Sequence, residues 1–148
     1  MIIDCHAHVF MSPQIRPYPD MESTLMSVED QIAVMDAKRI DKAVILPLNN
    51  FSSPFEHQSI GEILYICNKY ASRFIPFCNI DPLCADREDL SRINKSDFWL
   101  EQYKEIGCKG LGELIPRIYW QDPRMLELLA ACERTRLAVL FHTIGLST

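Results

Sequence analysis

The chain has 148 residues, a net charge of −5 at pH 7 and a pI near 5.3, and its lysines and arginines are dispersed rather than clustered. Such a composition disfavours stable binding to DNA, RNA or an anionic membrane, because no basic surface is present to attract them. The length predicts a single domain over residues 1–148. Because the sequence begins without a basic, apolar leader, we expect a cytoplasmic protein whose six cysteines are reduced.

The first half of the chain alternates short apolar runs with longer amphipathic ones. A strand is predicted over 2–8, and a capping box at Ser27 to Asp30 then begins a helix that ends near Arg39. A second strand is predicted over 42–48. From about Gln58, apolar residues at helical spacing predict a second helix with one buried face, made of Ile60, Ile63, Leu64, Cys67 and Ala71.

The second half repeats the alternation. A third strand is predicted over 74–80, a fourth over 109–114 and a fifth over 137–142. Ser96 begins the third helix, and Asp122, followed by a proline at the first helical position, begins the fourth. The predicted buried faces of these two helices are Trp99, Tyr103 and Ile106 in the third, and Met125, Leu128, Leu129 and Cys132 in the fourth.

The predicted order of elements is βαβαβαβαβ, with nearly continuous apolar strands that are typical of a parallel sheet buried on both faces. Two architectures have this order, an open doubly wound sheet and a (β/α) barrel that stops in its fifth strand. No glycine-rich phosphate loop follows the first strand, which disfavours the nucleotide-binding form of the open sheet. The polar residues at the strand ends favour the barrel.

Three of the four histidines lie where a predicted strand ends: His6, His8 and His142. Side chains alternate along a strand, so the imidazoles of His6 and His8 point to one face and can converge on one ion. The same alternation places Glu113 at the inner end of the fourth strand. Active sites of (β/α) barrels lie at the carboxyl ends of the strands. We therefore expect His6, His8 and His142 to bind a metal, with Glu113 as a further ligand or catalytic carboxylate.

Imidazole ligands suit zinc, and an added carboxylate extends the choice to manganese, iron or cobalt. Water bound to such an ion supplies hydroxide near neutral pH, so hydrolysis of a small carbonyl or phosphoryl substrate is the expected use. Other interpretations stay open, since paired histidines also occur by chance and Glu113 can form an ordinary salt bridge. Asp4 is predicted to be a hydrogen-bonded interior carboxylate, and His57 a solvated loop residue. Candidate substrate-binding residues on the predicted loops are Arg16, Tyr18 and Arg117.

The segments IIDCHAHVF, KGLGELIPRIY and DPRMLELLAACERTRLAVLFHT resemble the amidohydrolase-related (amidohydrolase 2) family of the amidohydrolase superfamily, over essentially the whole chain. The resemblance implies a distorted (β/α)8 barrel, truncated here to about five strands and four helices. It implies that His6, His8 and His142 are metal ligands, usually of zinc, and that Glu113 touches or bridges metal as in some relatives. The implied reactions are hydrolysis of amides, lactones and related bonds, or decarboxylation of aromatic acids.

That family also uses a histidine after strand six and an aspartate after strand eight, and only Thr143 to Thr148 follow His142. The resemblance thus implies an N-terminal half, and loss of the general base typically removes about 10²–10⁴ in rate. We expect the missing half of the barrel, or a second copy, to be needed for stability.

Two alternatives remain. TatD-type deoxyribonucleases share the paired histidines but continue the glutamate as G-E-I-G-L-D, whereas Leu114 follows Glu113 here. The second alternative is a metal-binding half-domain that has no catalytic activity.

Overall fold

The structure is a computed structural model that describes residues 1–13, 25–48, 58–83, 96–115 and 118–142. The chain divides into two compact units, Met1–Phe77 and Cys78–Thr148. No helix within the described ranges is long and apolar enough to cross a membrane.

The first unit contains, in chain order, β1 (Ile3–Ala7), β2 (Val9–Phe10), β3 (Met26–Ser27), α1 (Val28–Lys38), β4 (Lys42–Ile45), α2 (Ile60–Lys69) and β5 (Phe74–Cys78), whose last residue belongs to the second unit. β4 lies between β1 and β5, and both pairings are parallel. The three long strands and two helices confirm the predicted order. The short parallel pair of β2 and β3 was not predicted.

Both helices of the first unit begin at a serine cap. The Ser27 hydroxyl accepts a hydrogen bond from the backbone N–H of Asp30 at 3.0 Å, which confirms the predicted cap of α1. Ser59 caps α2 in the same way. The predicted face of α2 is partly wrong, because Ala71 lies beyond the helix and is exposed while Ile66 is fully buried. The core of this unit comprises Ala7, Val9, Val28, Met35, Ala43, Ile45, Ile63, Ile66, Cys67 and Phe74.

The second unit contains α3 (Ser96–Glu105), β6 (Gly110–Leu114), α4 (Pro123–Thr135) and β7 (Ala138–Phe141), and β6 pairs with β7 in parallel. The predicted cap of α4 is confirmed, since the Asp122 carboxylate accepts from the backbone N–H of Arg124 at 2.9 Å. The Arg124 guanidinium also donates to this carboxylate, and these hydrogen bonds lower the pKa of Asp122 to about 2. A charged cap therefore fixes the start of the helix that leads into β7.

The buried faces of α3 and α4 differ in how well the sequence predicts them. Met125, Leu128 and Cys132 of α4 are buried as predicted, while Leu129 is half-buried. For α3 the prediction is largely wrong. Leu100 is fully buried, whereas Trp99 is 43% exposed and Ile106 is 55% exposed. Tyr103, the third residue of the predicted face, is half-buried. In a ten-residue helix with several adjacent apolar residues, packing against α4 selects the buried face, and periodicity does not.

Candidate metal centre

His6 and His8 form a close pair in the first unit. Their Nε2 atoms are 3.0 Å apart, and the two rings meet edge to face with centroids 5.0 Å apart. The residue between them, Ala7, points the other way and is buried in the core. The predicted alternation is therefore observed, and it brings two imidazole nitrogens together on one side of the chain. Their role as metal ligands stays a prediction.

The second ring nitrogen of His8 is held by a neighbouring strand. Nδ1 of His8 lies 3.0 Å from the backbone carbonyl oxygen of Leu46, which directly follows β4. A carbonyl only accepts, so Nδ1 carries the proton and the lone pair of the neutral ring is on Nε2. Metal-binding histidines use this arrangement, in which a backbone carbonyl fixes the tautomer and the ring orientation. The lone pair of His8 is thereby directed at His6.

The backbone beneath His6 carries a β-bulge. Asp4 pairs with Ala43 and Ala7 with Ile45, so β1 has one more residue than β4 over this stretch. The backbone N–H of His6 donates to Oδ1 of Asp4 at 3.0 Å. Asp4 is half-buried, and its carboxylate is hydrogen-bonded as predicted. Bulges re-aim side chains beside active sites, and this one places His6 where its ring meets His8.

Glu113 and His142 form a second pair, in the second unit. Glu113 lies in β6 and His142 directly follows β7, and Oε1 of Glu113 contacts Nδ1 of His142. Glu113 is only 5% exposed, whereas about half of the His142 side chain is exposed. A carboxylate that accepts from Nδ1 fixes the tautomer in which Nε2 has the lone pair. The two residues that were predicted at neighbouring strand ends are therefore in contact.

Gly112 permits this contact. A Cβ atom at Gly112 would lie 2.6 Å from the backbone oxygen of Leu140, so only glycine lets β7 approach so closely. β6 also bulges here, since Leu111 pairs with Val139 and Leu114 with Phe141. The backbone N–H of His142 then donates to the Leu114 carbonyl at 3.0 Å, which extends the pairing to the histidine.

Asn79 supports Glu113 and was not predicted. Its Nδ2 donates to the Glu113 carbonyl at 3.0 Å, and the thiol of the preceding Cys78 donates to the Gly110 carbonyl at 3.3 Å. Contact with the Cys108 thiol, together with burial, raises the pKa of Cys78, so this thiol stays protonated. The sequence shows only a polar residue near the end of the third predicted strand, which is not specific for this contact. Two side chains thus hold β6 on either side of Gly112.

The five cysteines in the described part of the chain are free thiols. Arg16, Tyr18, His57 and Arg117 lie outside the described residues. The role of the two arginines and the tyrosine in substrate binding stays a prediction, as does the solvated position of His57.

No protein-family model and no curated protein matches the chain. Solved structures do match it. An uncharacterised TIM-barrel protein from Bordetella bronchiseptica is 20% identical, with a TM-score of 0.65. The match covers 98% of this chain and 56% of that protein. The chain has the fold of about half a TIM barrel. This confirms the predicted fold class.

Two enzymes share the fold of this half barrel. A probable 2-pyrone-4,6-dicarboxylic acid hydrolase from Acinetobacter baumannii is 17% identical, with a TM-score of 0.62, over 96% of this chain and 49% of its own. A 5-carboxyvanillate decarboxylase from Novosphingobium aromaticivorans, complexed with manganese, is 18% identical, with a TM-score of 0.64. The match covers 96% of this chain and 50% of the decarboxylase. The half barrel thus spans about half the length of these enzymes, and at such identities the likeness shows the fold alone.

Proposed function

We propose that the protein is a metal-dependent enzyme in which His6, His8, His142 and Glu113 hold one divalent ion. The observation that carries the proposal is the His6–His8 pair with its fixed tautomer. Two nitrogens 3.0 Å apart can both lie about 2.1 Å from a single ion, the usual zinc–imidazole distance. The contact between Glu113 and His142, at the carboxyl ends of two further strands, supports their share in a TIM-barrel centre.

Zinc is the proposed ion, because neutral imidazoles make up most of the ligand set. Manganese is the alternative, supported by the manganese in the decarboxylase structure; iron and cobalt suit the same ligands. A divalent ion at such a centre lowers the pKa of bound water and polarises a carbonyl group. Glu113 is the proposed catalytic carboxylate, since it is buried and contacts a histidine of the set.

The proposed substrate is a small carboxylated ring compound, and the proposed reaction is hydrolysis. The hydrolase and the decarboxylase that share this fold are both named for acting on compounds of that class. Decarboxylation is the second candidate, because a 2,6-dihydroxybenzoate decarboxylase also has this fold, with a TM-score of 0.60. We also propose a cytoplasmic location. Because the compared chains are about twice as long, we propose that the remaining strands of a barrel complete the metal centre.

Product analysis separates the two reactions. The chain, loaded with zinc or manganese, is incubated with 2-pyrone-4,6-dicarboxylate and with 5-carboxyvanillate, and products are followed by ¹³C NMR. We expect slow, metal-dependent formation of either a ring-opened acid or carbon dioxide, since a centre without its general base is about 10²–10⁴-fold slower. A chelator-treated sample should give no product. Stoichiometric metal binding without product from any carboxylated ring would contradict the proposed activity and favour a metal-binding half-domain.

A further inference from the structure

Gln58 connects the start of α2 to the backbone beside His8. Its side chain is fully buried, and its Nε2 donates to the carbonyl oxygen of Val9 at 2.6 Å. Val9 is the residue after His8, and Gln58 directly precedes Ser59, the cap of α2. The hydrogen bond from Gln58 therefore acts on the Val9–Phe10 peptide, which is one peptide away from His8, a proposed ligand.

Two more hydrogen bonds hold the same stretch of chain. The backbone N–H of Met11 donates to Oε1 of Glu62 in the first turn of α2, at 2.8 Å. The His8 ring is bound to the Leu46 carbonyl, as described above. The segment 8–11 is thus fixed from two directions, by the end of β4 and by the start of α2. Two of these three hydrogen bonds bind backbone groups of the segment, those of Val9 and Met11. The bond from Gln58 to Val9 is the one closer to His8 along the chain.

The second polar atom of Gln58 has an unfavourable position. Its Oε1 is buried and has no hydrogen-bond partner among the described residues, and a buried acceptor without a partner costs free energy because it has been removed from water. A methionine has nearly the same length and would avoid this cost. The bond to Val9 is therefore the favourable polar contact of the side chain. A buried polar atom without a partner lowers stability, and proteins tolerate such costs mainly near functional sites.

We propose that Gln58 is a positioning residue for the His6–His8 pair, acting through the Val9 carbonyl to fix the backbone that carries His8. This inference rests on the proposed metal site. Outer partners of metal ligands typically change metal affinity about 10–100-fold when they are removed. Gln58 acts through one intervening peptide, so we expect an effect at the lower end of that range.

The test compares Gln58→Met with Gln31→Met, which changes a second buried glutamine in the described part of the first unit. Zinc affinity is measured by competition with a chromophoric chelator, and the visible spectrum of the cobalt-loaded protein reports the geometry of the ligands. We expect Gln58→Met to weaken zinc binding about tenfold and to alter the cobalt spectrum. Gln31→Met should change neither. Wild-type affinity together with an unchanged spectrum in Gln58→Met would overturn the inference.

A measurement on the unmodified chain covers the case in which Gln58→Met does not fold. The side-chain amide signal of Gln58 in a ¹H–¹⁵N spectrum should shift when zinc is added, while that of Gln31 stays in place. An unmoved Gln58 signal in zinc-loaded protein would overturn the positioning role alone. If the chain binds no zinc, or if His8→Ala binds it equally well, the proposed metal site fails as well.

Discussion

His8→Ala is expected to weaken zinc binding at least about 100-fold, more than the loss of an outer partner does. The substitution removes one of two nitrogens that lie 3.0 Å apart, and it also removes the bond to the Leu46 carbonyl. The His6 ring in β1 then loses the imidazole whose Nε2 lies 3.0 Å from its own. Zinc affinity is measured by competition with a chromophoric chelator at pH 7.5.

His57→Ala is the matched control, because it removes the one histidine that the sequence places away from the strand ends. We expect it to bind zinc as the unaltered chain does. Equal loss of affinity in both variants would indicate nonspecific histidine binding and would contradict the assignment of His8.

Gly112→Ala is expected to destabilise the protein by about 2–3 kcal/mol, which is typical of overpacking. The new methyl group would lie 2.6 Å from the Leu140 oxygen and 3.1 Å from its Cβ atom. A backbone oxygen in a paired strand cannot rotate away, so β6 and β7 must separate. The separation also draws Glu113 away from His142, and zinc binding should weaken in the fraction that stays folded. Urea denaturation measures the stability, and chelator competition measures the affinity.

Gly61→Ala provides the control for Gly112→Ala. Gly61 lies in the first turn of α2, and an added Cβ would meet only the Ser59 hydroxyl, at an ordinary 3.5 Å. Alanine favours the helix over glycine by up to about 1 kcal/mol, so this variant should be as stable as the unaltered chain or more so. If Gly112→Ala unfolds at the same urea concentration as Gly61→Ala, the close approach of β7 to β6 is not required.

The alternation of strands and helices, and the strand ends that carry His6, His8, Glu113 and His142, could be predicted from the sequence. These features depend on local patterns, namely apolar periodicity, serine and aspartate caps, and the two-residue repeat of a strand. The structure adds that His6 meets His8 and that Glu113 meets His142, each pair within its own unit.

The bulges in β1 and β6 could not be predicted, because a bulge is defined by the register with a neighbouring strand that lies far away in the sequence. The same reason applies to Leu46, Gln58 and Asn79, whose hydrogen bonds reach across 34 to 49 positions. Their residue types carry no specific signal, since a backbone carbonyl or an amide side chain has many uses.

X-ray absorption at the zinc edge of the one-to-one zinc complex tests the central claim most directly, since it identifies the atoms bound to the ion. The claim predicts three imidazoles and a carboxylate oxygen at about 2.0–2.2 Å, with no sulfur. Sulfur at about 2.3 Å would instead show that a cysteine is a ligand. That result, or a shell with fewer than three imidazoles, would contradict a centre shared by His6, His8, His142 and Glu113.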